Sequence, residues 1–225
     1  MQRTVIERRL VEPGNPAAGE VILSGIQRED SVAWTEIRLT FENGASQELP
    51  VPEDAGYQPR LWIGSLTGAG KRDILLSIDS GGSGAIGYYT VYAEQGDGYA
   101  LVFCSDAYQP RYAITYENGR RVRADSLENG KTYLIDLSDR DRTYLDALYD
   151  ANGRLKAPRS GDVNPLSAVL PIDPDGDGVY DLLGFQRITG LYNADGLGDF
   201  MNQLSWRTGA FALVNQWVGI FGTRI

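Results

Sequence analysis

The sequence contains no histidine and only one cysteine, Cys104. Without histidine the chain can form no Ser-His-Asp triad, no Cys-His dyad and no histidine zinc site. A single cysteine also excludes an intrachain disulfide and a CxxC motif. The side chains left for chemistry are carboxylates, hydroxyls, arginine and tyrosine, a set that suits hard cations and acid/base reactions of the glycosidase type.

Positive charge is also scarce. The formal net charge is -9 and the sequence pI is about 4.6, with only three lysines in the chain. Binding of a nucleic acid requires concentrated positive charge, so no nucleic-acid partner is predicted. The acidic surplus favours the binding of cations.

Long apolar runs are absent. No stretch approaches the ~20 residues of a membrane-spanning helix, so no membrane span is predicted. The first residues, M-Q-R-T-V-I-E-R-R-L, lack the apolar segment of a secretory signal peptide. Three alternatives follow: the protein stays inside the cell, it is exported by another route, or a leader is missing from this chain.

Strand signals dominate what is present. With 225 residues, 42% of them hydrophobic, the chain can bury a normal core, and we predict a single β-rich domain over 1–225. Runs of alternating or β-branched residues lie between clusters of Gly, Asn, Asp and Pro. These runs predict strands near 3–11, 19–27, 33–42, 45–51, 60–64, 73–79, 86–93, 99–104, 111–117, 120–127, 131–137, 167–172, 180–188, 201–207 and 210–220.

One segment predicts a helix. Ser138 or Asp139 can cap its start, and Leu145 and Leu148 belong to one apolar face. Asn152-Gly153 supplies a left-handed stop. We expect this helix to pack against a sheet, and residues 154–165 to form a polar connecting loop.

An internal repeat organises the strands. L-W-I-G-S-L-T-G-A-G-K-R-D-I-L-L at 61–76 corresponds to A-V-L-P-I-D-P-D-G-D-G-V-Y-D-L-L-G at 168–184. The repeat units span about 55–104 and 163–222. This predicts a mainly β fold, an array of about four β-meander units with one packing helix. The array is small and propeller-like, or alternatively a two-sheet sandwich.

The second copy of the repeat carries an acidic loop, D-P-D-G-D-G-V-Y-D. A calcium ion takes six to eight oxygen ligands at about 2.3–2.6 Å, and acidic residues spaced by two can turn toward one centre in a tightly curled loop. Glycines between them allow the left-handed backbone that this curl needs. The predicted Ca²⁺ ligands are Asp173, Asp175, Asp177, the carbonyl of Val179, and Asp181.

The pattern D-x-D-G-D-G-x-x-D-L-L resembles the calcium loop of FG-GAP/VCBS repeats, found in integrin-type propellers and in many bacterial surface proteins. Further segments, including Y-L-I-D-L-S and the stretch from V-N-P-L-S to N-A-D-G-L-G, resemble VCBS-repeat proteins of spore-forming Firmicutes. The resemblance covers most of residues 20–222. It implies a calcium-binding β protein in a surface or spore-associated setting, and it does not point to any particular activity.

Two other loops depart from this pattern. In the first copy, Ser65, Thr67 and Ala69 replace carboxylates and only Asp73 remains, so we predict that this loop keeps its shape without binding calcium. The segment N-A-D-G-L-G-D at 193–199 has looser acidic spacing and is expected to form a plain turn rather than a second cation site.

The sequence therefore predicts a non-enzymatic, calcium-stabilised protein that works by surface contacts. Its expected location is extracellular or at the cell or spore surface. Its expected partners are further copies of itself or another protein surface, because few lysines protect the sheet edges from pairing. The alternative is a carbohydrate-binding protein, or a glycoside hydrolase using paired carboxylates, since the chain has 13 Tyr and 4 Trp and a glycan partner is possible.

Overall fold

The computed structural model describes residues 2–82, 84–220 and 222. In this part of the chain, four antiparallel sheets accompany one α-helix. The prediction of a mainly β fold with four meander units and one helix is confirmed. The predicted domain over 1–225 and repeat unit over 163–222 both include residues outside the described ones.

Each sheet is a meander in which strands adjacent in sequence are hydrogen-bonded neighbours. Sheet I contains β1 (Thr4–Leu10), β2 (Glu20–Gln27), β3 (Trp34–Glu42) and β4 (Ser46–Leu49). Sheet II contains β5 (Tyr57–Gly64), β6 (Asp73–Asp79), β7 (Gly87–Gln95) and β8 (Gly98–Cys104). Sheet III contains β9 (Tyr112–Glu117), β10 (Arg121–Ser126) and β11 (Lys131–Asp136). Sheet IV contains β12 (Asp162–Ile172), β13 (Asp181–Thr189), β14 (Gly196–Arg207) and β15 (Ala210–Gly219).

Three hydrophobic cores place the sheets face to face in the order I, II, IV, III. The first core joins sheets I and II and includes Leu23, Leu39, Ile74 and Leu76. The second joins sheets II and IV and includes Leu75, Val91, Leu166 and Leu182. The third joins sheets IV and III and includes Val122, Ile135, Ile188 and Phe200. Sheets II and III both pack against the same face of sheet IV, because Leu182 in the second core and Ile188 in the third lie on one side of β13.

The row of sheets bears on the two arrangements predicted from the sequence. A two-sheet sandwich would contain two sheets, whereas the structure has four. Sheet II is covered on both faces, as a propeller blade is, but sheet IV buries only one face. Among the described residues no hydrophobic core joins sheets I and III, so this row is open rather than closed into a ring.

Position in the row explains the apolar pattern of each strand. In β6 of the central sheet II, Ile74, Leu75 and Leu76 are all buried, because both faces of the sheet are covered. In β10 of the outer sheet III, burial alternates, with Val122 inside and Arg123 exposed. Alternation of this kind is what a strand shows when only one face meets a core.

The helix α1 spans Arg142–Leu148 and is shorter than predicted. Its cap is Asp141, whose Oδ1 accepts hydrogen bonds from the backbone N–H groups of Thr143 (2.8 Å) and Tyr144 (3.3 Å). The predicted caps Ser138 and Asp139 were wrong, because a turn continues through Arg140 before the helix begins. Its packing role is confirmed, since Leu145 and Leu148 lie in the core between sheets III and IV.

The predicted helix stop and connecting loop also need correction. The helix ends at Leu148, because the backbone of Tyr149 is extended and forms an isolated antiparallel β-bridge with Leu155. Gly153 adopts a left-handed φ of 73°, but in the turn that follows. The loop predicted for 154–165 is shorter, since β12 already begins at Asp162.

Within the described residues, no helix is long and apolar enough to cross a membrane.

Candidate metal centre

The acidic loop connects β12 to β13 in sheet IV. Its ends are fixed by the pairing of Ile172 with Asp181, the last register position before the strands part. Within the loop, Gly176 and Gly178 have φ values of 74° and 81°. Side chains disfavour this left-handed region, so glycine at these two positions allows the chain to curl back on itself.

Hydrogen bonds from the loop backbone hold two of its carboxylates. Asp173 accepts from the N–H of Gly176 at 2.9 Å through Oδ1 and from that of Gly178 at 3.1 Å through Oδ2. Asp177 accepts from the N–H of Val179 at 2.7 Å. These bonds orient the side chains of Asp173 and Asp177 independently of any ion.

The curl brings three carboxylates together. One oxygen from each of Asp173, Asp175 and Asp177 lies within 4.8 Å of the other two. Ligands on opposite sides of one calcium ion are at most about 5 Å apart, since each lies about 2.3–2.6 Å from the metal. The three side chains predicted from their spacing by two are therefore close enough to share one ion.

Asp181 lies outside this group of three carboxylates. Asp181, at the first position of β13, accepts a hydrogen bond of 2.6 Å from Nε2 of Gln203. Val179 lines the same cleft as Asp181. The participation of Asp181 and of the Val179 carbonyl in the coordination shell stays a prediction.

A cleft of about 510 Å³ lies beside the acidic loop. One wall comes from the loop after β5, including Thr67, and another from β14, including Gln203 and Trp206. A 2.7 Å hydrogen bond from the N–H of Tyr180 to the carbonyl of Ser65 ties the acidic loop to the loop after β5. The candidate site is therefore built jointly by sheets II and IV.

Sequence reasoning missed Gln203 and Trp206. Gln203 pairs with Leu183 in register, which places it diagonally opposite Asp181 on the neighbouring strand. The sequence did carry a signal. Gln203 is a polar residue next to the apolar Leu204 in β14, so the two side chains lie on opposite faces of the strand. This signal could be used only once the register between β13 and β14 was known.

The first copy of the loop has a different interior. Asp73 is fully buried and begins β6, the same place that Asp181 occupies in β13. Its Oδ2 accepts from the N–H groups of Leu66 (2.8 Å) and Thr67 (2.6 Å). Its Oδ1 accepts from the hydroxyl of Thr67 (3.1 Å) and the N–H of Glu94 (2.9 Å). Four donors thus surround this one carboxylate.

The rest of the first loop supports the same arrangement. The Ser65 hydroxyl donates to the carbonyl of Lys71 at 2.8 Å, closing the loop without a second acid. Gly70 keeps a φ of 74°, close to that of its counterpart Gly178. The two loops share a left-handed turn and a terminal aspartate, and they differ in what satisfies that aspartate.

The acidic residues of the third loop do not converge. Asp195 is buried and accepts from the N–H of Leu191 (2.9 Å) and the hydroxyl of Tyr144 (2.8 Å). Asn193 accepts from Asn164 at 2.7 Å. Burial raises the pKa of Asp199, and the positive charge of Arg187 partly opposes that rise. The loop ties α1 to sheet IV, as a structural turn would.

Comparison with known proteins identifies relatives of this chain. The model of the YybI C-terminal domain matches residues 110–219. "Uncharacterized protein YybI" of Bacillus subtilis (strain 168) is 37% identical over 215 residues, which cover 93% of this chain and 82% of that protein. The chain belongs to the YybI family. No solved structure matches it.

The matched YybI C-terminal domain corresponds to sheets III and IV together with α1. It therefore contains the acidic loop, while sheets I and II precede it. The cleft beside the loop draws residues from both sides of this boundary, since Thr67 belongs to the region after β5. In this YybI-family chain the candidate site thus depends on more than the matched domain.

Proposed function

We propose that this YybI-family chain is a non-enzymatic β protein that calcium stabilises at the acidic loop, and that it acts through surface contacts. The observation that carries the proposal is the convergence of Asp173, Asp175 and Asp177 on one point. Three carboxylates this close repel one another, and a divalent cation converts that repulsion into attraction.

The surroundings of the loop favour calcium as the ion. Calcium accepts irregular shells of oxygen ligands, including carbonyls, amides and water. Val179 and Asp181 line the adjoining cleft, and the proposal assigns them as the further ligands. The loop is exposed at Asp175 and Asp177, so an ion can enter from solvent.

The proposal includes a relationship to FG-GAP/VCBS calcium loops. It is supported by the placement of the acidic loop directly before the second strand of a four-stranded meander, with Asp181 as the first residue of that strand. The equivalent placement of Asp73 in sheet II supports a duplicated unit, one copy of which has lost its acidic ligands.

A location outside the cell or at the cell or spore surface fits a site of this kind. Calcium is millimolar there, so even a modest site of about 10⁻⁴–10⁻³ M affinity is filled. The absence of histidine and the single cysteine support a non-enzymatic role. Fractionation of cells and spores, followed by immunodetection, tests the location, and recovery only in the cytosolic fraction would contradict it.

Self-association is the proposed mode of action. The outer strand β15 of sheet IV exposes Val214 and Trp217, and unpaired strand edges with apolar side chains favour pairing with another chain. Light scattering over a range of protein concentrations, in calcium and in EGTA, tests this. A monomer under every condition would leave another protein surface as the partner.

A carbohydrate-binding role is the second candidate, because the cleft combines carboxylates and Gln203 with the ring of Trp206. Hydrolysis has less support. It needs one carboxyl that is protonated at working pH. Burial raises the pKa of the Asp199 carboxyl, but Asp199 does not line this cleft. A glycan array with wild type and Trp206→Ala, together with a panel of hydrolase substrates, separates these roles from the first.

A thermal melt tests the calcium site directly. At calcium 100 times the dissociation constant, binding adds about 2.7 kcal/mol to the free energy of unfolding. For a chain of this size that raises the melting temperature by about 5–10 °C relative to EGTA. Asp177→Ala should remove most of this difference, because it deletes one of the three converging ligands.

The matched control is Asp97→Ala, which removes an exposed aspartate from the turn between β7 and β8. Its difference between calcium and EGTA should equal that of wild type. Equal melting temperatures for wild type in the two buffers, with calorimetry showing no calcium binding to the EGTA-treated protein, would contradict the proposal.

A further inference from the structure

A second cleft lies at the other end of the row of sheets, between α1 and the turn that joins β9 to β10. Its volume is about 700 Å³, within the range of ordinary small-molecule sites. Four cationic residues line it, whereas only two acidic ones do: Arg120, Arg140, Arg142 and Lys156 against Asp146 and Asp150. In a chain of net charge -9, this is a local reversal of sign.

Arg120 has an unused hydrogen-bond donor at this cleft. Its Nε is buried and makes no hydrogen bond within the described part of the chain. Its backbone is held in place, because the carbonyl of Arg120 accepts from the N–H of Leu137 at 2.8 Å and φ is 58°. A buried donor without a partner costs free energy, and an acceptor supplied by a ligand removes that cost.

The two acidic residues are already engaged. Asp150 accepts from the N–H groups of Asn152 (2.9 Å) and Arg154 (2.8 Å), so its carboxylate is turned into its own loop. Asp146 lies 3.5 Å from Arg142 in an exposed pair, which water screens strongly. Neither acid neutralises Arg120.

The cations differ in how free they are. Arg142 is almost wholly exposed, with 92% of its side chain accessible, so its guanidinium can turn toward the cleft. The Lys156 ammonium donates to the carbonyl of Asp146 and retains two further protons. Arg140 already interacts with Asp195 and with the carbonyl of Gly196, and it supplies positive charge more than free donors.

We infer that this cleft binds a phosphate group, either as free phosphate or as the phosphate of a small ester. Planar guanidinium groups pair with phosphate oxygens through two parallel hydrogen bonds, and an ammonium adds a point charge. Arg120 provides a guanidinium on a held backbone, which turns its unpartnered donor toward the anion, while Arg142 and Lys156 close over it. The inference is separate from the calcium proposal, because the cleft is formed by sheet III and α1 rather than by the acidic loop.

Calorimetric titration with inorganic phosphate and with glycerol phosphate tests this, in EGTA and at low ionic strength. Saturable binding of one anion per chain is expected. The double variant Arg142→Gln/Lys156→Gln should weaken it about tenfold or more, because each charge-assisted hydrogen bond contributes substantially to the affinity. Arg120→Gln should weaken it as well.

The control is Arg111→Gln, which removes the same charge from an exposed side chain paired with Glu128, away from the cleft. It should bind phosphate as wild type does. The double variant alters exposed side chains, so its melting temperature should stay close to that of wild type. Tighter binding of the ester would assign an ester as the occupant, and tighter binding of inorganic phosphate would assign the free ion. No saturable binding to wild type up to ~10 mM, or equal affinities in the double variant and the control, would overturn the inference.

Discussion

The two copies of the repeated loop differ in the groups that surround their acidic side chains. Both precede the second strand of a four-stranded meander, and both end in an aspartate at the first position of that strand. In the first copy, Asp73 is buried and four donors from its own sheet surround it. In the second, Asp173, Asp175 and Asp177 converge within the loop, while Asp181 accepts a hydrogen bond from Gln203.

With the proposed calcium site, hydrogen-bond donors and a cation are alternative ways to stabilise the same curled loop. In the first copy, Thr67 stands where the repeat pattern has a carboxylate. The Thr67 hydroxyl is a hydrogen-bond donor to Asp73, whereas a carboxylate at this position could only accept. Stability of the first loop should therefore be independent of calcium. Stability of the second should depend on it.

The largest expected effect comes from Asp73→Ala. The variant leaves the N–H groups of Leu66, Thr67 and Glu94 without their acceptor, and each buried unsatisfied donor costs about 1–3 kcal/mol. We expect a loss of at least about 3 kcal/mol, or about 6 °C or more in melting temperature, equal in calcium and in EGTA. Differential scanning calorimetry in both buffers measures it, and a loss below about 2 °C would show that water replaces the carboxylate.

A smaller effect is expected when the acidic pattern is grafted onto the first loop as Ser65→Asp/Thr67→Asp/Ala69→Asp. Two hydrogen bonds are lost, from Ser65 to Lys71 and from Thr67 to Asp73, at about 0.5–1.5 kcal/mol each. We expect lower stability in EGTA and no second calcium site, because Asp73 remains committed to its backbone donors. Equilibrium dialysis with labelled calcium counts the sites, and one additional ion per chain would refute this account.

The smallest effect concerns Asp199. Burial of this residue raises its pKa. A carboxyl with a raised folded pKa contributes stability below its unfolded pKa, and this is lost as pH rises through the folded pKa. Asp199→Asn should therefore be slightly more stable than wild type at pH 7, with the gain disappearing below about pH 4. Melts across this pH range test the sign.

Asp141→Asn is the opposite control for that series. Hydrogen bonds from Thr143 and from the N–H of Tyr144 lower the pKa of Asp141. Its contribution is present above the unfolded pKa and is lost as pH falls through the folded pKa. The variant should be less stable than wild type at pH 7, and the two should converge in acid. Parallel curves for the two variants would contradict the assignment.

Much of the fold could be predicted from local patterns. Asn-Gly and Gly-Asp-Gly turns between apolar runs mark hairpins, and a meander needs no information beyond neighbouring strands. The consecutive buried residues Ile74, Leu75 and Leu76 also carried a signal for a sheet covered on both faces. The order of the sheets could not be predicted, because it depends on which apolar face packs against which, and a local pattern marks an apolar face without naming its partner.

The candidate metal site also has a part that could be predicted from the sequence and a part that could not. Asp173, Asp175 and Asp177 follow from spacing within one loop, so the sequence was sufficient to place them together. Gln203 and Trp206 reach the cleft from another strand, and Thr67 from another sheet. Such long-range neighbours require register and stacking, which no local pattern specifies.

The packing of sheets II and III on one face of sheet IV has a consequence for synthesis on the ribosome. Sheet III emerges before sheet IV, yet part of its apolar face is covered only by residues from sheet IV such as Ile188 and Phe200. Until those residues have left the exit tunnel, Val122 and Ile135 have α1 as their cover and lack the larger partner layer. Sheets I and II, by contrast, can pair as soon as both are made. The nascent chain thus passes through a stage in which sheets I and II have paired while sheet III still lacks sheet IV. This stage is the most exposed to misassembly.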